Sequence, residues 1–134
     1  MKKGLLIYTT VFVLIILAGG VLLLNNSKNN SKEEAKQTFN SEQFNWQENG
    51  KKGTYIVKIK SGSLSSPVKA KVLTDDNCDP DSKGLSHCNV VVALQNEKQI
   101  KFVMTHNMMN YPCLNLQSTI ELSPYREGYA KVKI

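Results

Sequence analysis

The stretch that decides the fold is C-N-V-V-V-A-L-Q-N-E-K-Q-I-K-F-V-M-T-H, residues 88–106. Apolar side chains alternate along it on both sides of the polar turn 96–98: Val90, Val92 and Leu94 before the turn, and Ile100, Phe102 and Met104 after it. Two short runs of period two joined by a polar turn predict an antiparallel hairpin, with strands over 88–95 and 99–105. The open ends of a hairpin lie side by side, so Cys88, His87 and His106 are predicted to be neighbours.

The same period continues outside the hairpin. Apolar residues alternate at Tyr55, Val57 and Ile59; at Val68, Ala70 and Val72; at Ile120 and Leu122; at Ala130, Val132 and Ile134; and briefly at Phe44 and Trp46. Glycine, proline, asparagine and serine separate these runs, and Ser123-Pro124 is expected to break the chain. The sequence therefore predicts an all-β domain over 43–134, a small antiparallel barrel or sandwich of six to seven strands.

Lysines occupy the other face of several runs, at 58, 60, 69, 71, 131 and 133. We interpret them as the solvated face of the strands. The formal net charge of +6 could favour anionic partners. Few aromatic residues interleave with the lysines, however, so nucleic acid is not an expected partner.

An uncharged apolar segment precedes the domain. Residues 5–24, LLIYTTVFVLIILAGGVLLL, would rise about 30 Å as a helix, which matches the hydrocarbon core of a bilayer. Lys2 and Lys3 come before it and predict a cytoplasmic N-terminus. We expect 1–24 to be a signal-anchor transmembrane helix that binds the lipid bilayer, so that a single-pass chain holds its C-terminal domain outside the cytoplasm. Cleavage near Ala18-Gly19-Gly20 is the alternative.

Residues 25–42 connect the anchor to the domain. The part over 25–38 is polar, with no apolar side chain larger than that of Ala35. Such a segment has no face to bury, so a flexible stalk is predicted.

All three cysteines and both histidines fall within 75–113. An exported domain sits where disulfides form, and a Cys78–Cys88 bridge would staple a small core. Cys113 would then be a leftover thiol, which suggests a reactive or ligand role. The acidic residues of 75–81 have no EF-hand spacing and predict a turn-rich surface loop.

Thiolate, imidazole and thioether groups are also ligands for zinc and cuprous copper. The candidate metal ligands are Cys78, Cys88, His106 and Cys113, with His87, Met108 and Met109 in reserve. Three cysteines with a histidine would suit zinc, and cysteine with histidine and methionine would suit copper. The spacing is not that of a zinc finger, because the chain has no C-x-x-C pair.

Three functions remain open at this point. The first is a membrane-anchored binding domain with a Cys/His/Met site for copper or zinc, used in metal delivery or sensing. The second is a disulfide-stapled module that docks onto a protein partner in a cell-surface or cell-wall complex, without a metal. The third is cysteine catalysis by Cys113 beside an imidazole. No phosphate loop, HExxH or GxSxG motif is present, so we expect binding rather than enzyme activity.

Overall fold

The structure, a computed structural model, describes residues 38–134. The predicted anchor over 1–24 and the stalk as far as residue 37 lie outside the described residues. Six strands follow one another along the chain: β1 (Thr54–Ser61), β2 (Val68–Asp76), β3 (Ser86–Leu94), β4 (Gln99–His106), β5 (Thr119–Arg126) and β6 (Tyr129–Lys133). All pairings are antiparallel, and the order β1-β4-β3-β2-β5-β6 closes on itself. The predicted all-β class is confirmed, and the architecture is a barrel rather than a sandwich.

The hairpin predicted over 88–105 is formed by β3 and β4. Its register pairs Cys88 with Met104 and Val92 with Ile100, as the alternation requires. Both strands extend to include Ser86 and His106, which are paired with each other. The open end of the hairpin is therefore longer than the sequence indicates, and it is this extension that brings polar groups inside the barrel.

The inward side chains of all six strands meet in one core. The buried hydrophobic residues that form it are Tyr55, Val57, Ala70, Val72, Cys88, Val90, Val92, Ile100, Phe102, Met104, Leu114, Ile120, Leu122, Ala130 and Val132. Successive strand residues point to opposite sides, so the lysines on β1, β2 and β6 face outward. Register shifts at Ile59/Ser61, Val72/Thr74 and Pro124/Arg126 mark bulges, which bend strands and favour closure.

The alternation at Phe44 and Trp46 does not form a strand, so that expectation is wrong. The segment Trp46–Glu48 is a turn of 3-10 helix, in which the Asn45 side chain accepts a hydrogen bond from the backbone N–H of Gln47. Trp46 also donates its indole N–H to the carbonyl of Ser41 at 2.8 Å. Local side-chain hydrogen bonds of this kind compete with strand pairing.

Ser123-Pro124 does not break the chain, because β5 continues through it to Arg126. The last pair between β5 and β2 is Leu122 with Val68, so Pro124 faces a neighbour only on the β6 side. A proline has no N–H to donate, and it is tolerated where one side of a strand is not paired.

Two residues that precede β1, Asn49 and Gly50, fix the position of the chain against the barrel. Asn49 is 2% exposed. Its amide donates to the carbonyls of Ile56 and Thr105, both at 2.8 Å, and accepts from the N–H of Ile56 at 2.7 Å. Gly50 has φ +122, and a Cβ there would lie 2.6 Å from Tyr111 Cβ. Only glycine fits this close approach.

Phe39 belongs to the segment that the sequence assigns to the stalk. Its ring nevertheless packs against Phe44, Trp46, Tyr125 and Tyr129, with centroid distances between 4.6 and 6.3 Å. The chain is therefore in contact with the outside of the barrel from Phe39 onward. No helix within 38–134 has the length and apolar character needed to cross a membrane.

Candidate functional site

The candidate site is built on the open end of the β3–β4 hairpin. Cys88 and His106 both point into the barrel and are fully buried. They are not direct register partners: Cys88 lies opposite Met104, and His106 lies opposite Ser86, two residues further along. His87 lies between Ser86 and Cys88 in sequence, and it therefore points to the outside.

A disulfide joins Cys88 to Cys78, with 4.4 Å between the two Cα atoms. Cys78 follows the end of β2, and the intervening loop is held by the Pro80–Ser86 bridge and by the hydrogen bond from Asp81 N to the Leu85 carbonyl. The staple predicted from the sequence is confirmed. It ties β2 to the buried end of β3.

Cys113 is the free cysteine, and it lies beside the disulfide. The three sulfur atoms of Cys78, Cys88 and Cys113 all lie within 4.8 Å of one another. Cys113 Sγ is also 3.8 Å from Nε2 of His106. The middle of the loop between β4 and β5 thus brings the leftover thiol to the bridge and to the buried imidazole at the same time.

The residues on either side of Cys113 fix its backbone. The hydroxyl of Tyr55 donates to the Pro112 carbonyl at 2.8 Å, and the Leu114 N–H donates to Asp75 Oδ2 at 2.9 Å. The Tyr55 ring meets the His106 ring edge-on at 5.7 Å. One buried tyrosine therefore contacts the imidazole and also anchors the loop that carries the thiol.

Asp75 places a carboxyl group in contact with the sulfur cluster. Its Oδ1 lies 3.3 Å from Cys78 Sγ, a distance at which a thiol would donate a hydrogen bond. In the disulfide this sulfur carries no proton, so the approach is a contact only. Burial raises the pKa of Asp75, while the hydrogen bond from Leu114 and the nearby His106 lower it.

The electrostatics keep both members of the Cys113–His106 pair uncharged. Burial lowers the pKa of His106, which outweighs the opposing effects of the Met104 carbonyl and of Asp75. Burial also raises the pKa of the Cys113 thiol, and the negative charge of Asp75 acts in the same direction. The resting state near neutral pH is thus a thiol next to a neutral imidazole.

Two polar atoms in this region are buried without a hydrogen-bond partner among residues 38–134, namely Ser86 Oγ and His106 Nδ1. Both residues are 0% exposed. Buried polar groups are normally hydrogen-bonded, so each exception calls for an explanation such as a redox or catalytic role or a bound water or ion. The same end of the barrel therefore carries soft sulfur groups and unused hydrogen-bonding capacity.

The three reserve ligands lie elsewhere. Met108 is 43% exposed and Met109 is 92% exposed. The His87 ring is bound on the outside, with Nδ1 2.9 Å from Thr105 Oγ1 and Nε2 3.0 Å from Asp81 Oδ2. Of the predicted ligand set, the structure brings together Cys78, Cys88, Cys113 and, through Cys113, His106.

A groove of about 380 Å³ lies on the outside of the barrel, and the His87 side chain forms part of its lining. Its lining includes Trp46 and Tyr129 and the lysines Lys58, Lys60 and Lys83. Asp81 also lines the groove, but it already accepts hydrogen bonds from His87, Lys83 N and Leu85 N. The hydrogen bond from His87 contributes most to the lowered pKa of Asp81.

Several residues of the site carry no signal in the sequence. Asp75 is expected there as a turn residue, and Tyr55 and Met104 as ordinary core residues. Ser86 falls just before the predicted strand. Extending the alternation of β3 backwards from Cys88 would have placed Ser86 inside the barrel. The contact of Asp75 with Leu114 depends on the path of two loops, which periodicity does not define.

No family model matches the chain, and neither the curated proteins nor the solved structures with which it was compared gave a match. The function is therefore argued from the geometry of the site.

Proposed function

We propose that this chain is a membrane-anchored, extracytoplasmic binding domain that takes up one cuprous copper or zinc ion when the Cys78–Cys88 bridge is reduced. The observation that carries the proposal is the clustering of three cysteine sulfurs within 4.8 Å of one another. The ion would be held by Cys78, Cys88, Cys113 and His106. Its role would be metal delivery or sensing at the cell surface.

The distances support this ligand set. In a tetrahedral zinc site with bonds of about 2.3 Å to sulfur and about 2.0–2.1 Å to nitrogen, two sulfurs lie about 3.8 Å apart and a sulfur and a nitrogen about 3.6 Å apart. Cys113 Sγ and His106 Nε2 are 3.8 Å apart. The sulfur pairs that are not bonded need to approach by no more than about 1 Å, whereas the two sulfurs of the reduced bridge must separate from about 2.0 Å to about 3.8 Å.

If Nε2 of His106 binds the metal, its unpartnered Nδ1 is free to donate a hydrogen bond. Histidines that bind metals usually donate their other ring N–H to an acceptor, which fixes the tautomer. Ser86 is the register partner of His106, and its buried hydroxyl is likewise unpartnered within the described part of the chain. The Ser86 hydroxyl would provide that acceptor if its Oγ moved within hydrogen-bond distance of Nδ1.

The redox state of the bridge would control binding. In the disulfide, two of the four ligands cannot bind as thiolates, and only Cys113 and His106 are left. Reduction supplies the other two, and metal binding releases the thiol protons. The domain is therefore expected to bind metal in its reduced form and to release it on oxidation.

The test uses the full chain, prepared oxidised and, in parallel, reduced without oxygen. Each form is mixed with excess Zn²⁺ or Cu⁺, desalted, and assayed for bound metal by elemental analysis and for free thiols. We expect about one ion per reduced chain and none retained by the oxidised chain. His106→Gln and Cys113→Ser should weaken retention, while the matched controls His87→Gln and Met109→Leu should not. A reduced chain that retains no metal would refute the proposal.

A second candidate function rests on the outer groove. Two aromatic rings and three lysines line it, and its one carboxylate is engaged by His87. This chemistry suits an acidic segment of a protein partner, as expected for a stapled interaction module that has no metal. Trp46 is the single tryptophan of the chain, so its fluorescence reports on the groove.

The groove is tested by titrating the full chain with a poly-glutamate peptide while recording tryptophan fluorescence. A saturable change that falls with added salt is expected, and Lys58→Gln combined with Lys60→Gln should reduce the affinity. The matched control, Lys69→Gln with Lys71→Gln, changes the same number of charges on β2. Equal responses in both double variants would exclude a specific site.

The topology follows from the predicted anchor over 5–24. Protease added to intact cells should remove the C-terminal domain from the membrane fraction. Protection of that domain would contradict an extracytoplasmic location.

A further inference from the structure

We propose that the Cys113 thiol exchanges with the Cys78–Cys88 disulfide, so that the bridge moves to Cys88–Cys113 and Cys78 becomes the free thiol. This activity needs no metal, and it goes beyond the binding function proposed above. In this proposal Cys88 can be bonded to either Cys78 or Cys113, so the disulfide is not confined to one pair of cysteines.

The first observation is the placement of the three sulfurs. Thiol–disulfide exchange requires a thiol that can reach one sulfur of a bridge, and Cys113 Sγ lies within 4.8 Å of both. The three atoms must line up during the exchange, so the Cys113 side chain has to turn about its Cα–Cβ bond. Its backbone is held on both sides, at Pro112 and at Leu114. The thiol therefore stays close to the bridge.

The second observation is the neighbour that can accept the thiol proton. The attacking group in exchange is the thiolate, so the Cys113 proton must leave first. Nε2 of His106 is 3.8 Å from the sulfur. His106 is fully buried next to this thiol, and it is the group that receives the proton in the proposed step.

The third observation identifies the leaving sulfur. Cys88 is fully buried in the core, whereas Cys78 is half-buried at the end of β2. Asp75 Oδ1 lies 3.3 Å from Cys78 Sγ, where it can accept a hydrogen bond as soon as that sulfur carries a proton. The structure thus contains an acceptor for a Cys78 thiol that the present disulfide does not use.

The step is balanced within the chain. His106 takes the proton from Cys113, and the Cys113 sulfur forms a bond to Cys88 Sγ. The Cys78–Cys88 bond breaks and its electron pair remains on Cys78. The Cys78 thiolate then takes up one proton while the His106 imidazolium releases one, so the number of bound protons is unchanged. One disulfide and one thiol are present before and after, so no oxidant or reductant is needed.

The sequence makes the test direct, because trypsin separates the three cysteines into the peptides 72–83, 84–98 and 102–126. The oxidised full chain is incubated with excess N-ethylmaleimide and a chelator, sampled over time, and digested without reduction. Mass spectrometry then identifies the labelled cysteine and the linked pair. Because alkylation is irreversible, each Cys78 thiol that forms is trapped.

We expect a species with maleimide on Cys78 and a link between 84–98 and 102–126, which increases with time beside direct labelling of Cys113. Label on Cys113 alone, with only the 72–83 to 84–98 link, would refute the exchange. A link between 72–83 and 102–126 would refute the assignment of Cys78 as the leaving sulfur. All three links together would indicate scrambling through unfolding and would refute exchange in the folded state.

Two variants complete the design. Cys113→Ser changes only the attacking atom, and it should give no label and only the original link. Label on Cys78 in that variant would refute the proposed route. His106→Gln should slow the trapping of Cys78 at least about tenfold if the imidazole accepts the proton, since positioned acid–base groups typically contribute more than this. Its direct labelling at Cys113 reports separately whether the thiol remains accessible.

Discussion

Ser86 and His106 face each other across β3 and β4, and each buries one polar atom, Oγ and Nδ1, without a hydrogen-bond partner among residues 38–134. Their strands otherwise present apolar side chains to the core. The pair lies on the same inner face as Cys88 and Met104, one step closer to the open end of the hairpin. Buried polar atoms at this end of the barrel therefore lack hydrogen-bond partners within the described part of the chain.

Ser86→Ala should stabilise the domain. Removing a buried hydroxyl without a partner removes its desolvation cost, so we expect the free energy of unfolding to rise by about 1 kcal/mol. Urea denaturation of the oxidised protein measures it. As a control, Ser118→Ala removes an exposed hydroxyl that donates to the Asn115 carbonyl at 2.6 Å, and it should be neutral or slightly destabilising. A loss of stability in Ser86→Ala would mean that Oγ has a binding partner in solution.

Opening the disulfide should destabilise the domain without unfolding it at room temperature. The bridge spans a sequence separation of 10, and a loop of this size contributes about 3 kcal/mol in the chain-entropy account. Cys78→Ser removes the bridge while leaving the buried Cys88 in place. Under reducing conditions, in which Cys88 and Cys113 cannot pair either, its unfolding free energy should match that of the reduced wild-type chain. Cys113→Ser should retain nearly full stability, and an equal loss there would contradict a structural role specific to the bridge.

Asp75→Asn should make the protein more stable near neutral pH. Burial raises the pKa of Asp75 in the folded state above the ordinary value of 3.8. The protonated Asp75 carboxyl therefore contributes fully to the free energy of unfolding when the pH is below that ordinary value. This contribution is lost as the pH rises through the pKa of Asp75 in the folded state. An asparagine side chain does not titrate, so the variant keeps its stability as the pH rises. Its side-chain oxygen can still accept the hydrogen bond from the Leu114 N–H.

The check is the difference in unfolding free energy, variant minus wild type, measured by urea denaturation between about pH 3 and about pH 7. This difference should increase with pH across the acid range and then level off. Asp76→Asn changes an exposed neighbour and serves as the control. A difference that stays constant, or decreases, with pH would show that Asp75 is not destabilised by burial.

Asn49→Ala should cost about 2–4 kcal/mol of stability, because it leaves two carbonyls and one N–H without their side-chain partner in a buried position. Asn49→Asp keeps the acceptor for Ile56 N–H but loses both donated bonds and adds a buried charge, so it should also be destabilising. Asn45→Ala, which removes a more exposed cap, should cost less. Thermal and urea unfolding would rank the three variants, and equal losses would contradict the bridging role of Asn49.

The sequence was informative wherever one face of a strand is buried. Period two locates the β3–β4 hairpin and the inward residues of the other strands, because a shift of one residue would turn every apolar side chain outward. Register alone then brings Cys88 and His106 to one end of the barrel. By contrast, residues 107–118 have no regular period, so the approach of Cys113 to the bridge depends on hydrogen bonds to Tyr55 and Asp75 that no local pattern encodes.

The same reasoning explains the less successful predictions. Phe44 and Trp46 alternate like strand residues, yet Asn45 and Ser41 provide local hydrogen bonds that favour a turn. Met108 and Met109 belong to a suitable ligand type, but they lie on the outside of their loop. Ligand chemistry can be read from composition, whereas proximity depends on the direction of each side chain.

Closure of the barrel has a consequence for crowding. Each of the six strands has a hydrogen-bonded neighbour on both sides, so β6 and β1 offer no extended free edge that would recruit another copy by strand addition. Crowded copies of the domain therefore lack the exposed strand edge from which edge-to-edge aggregation usually begins.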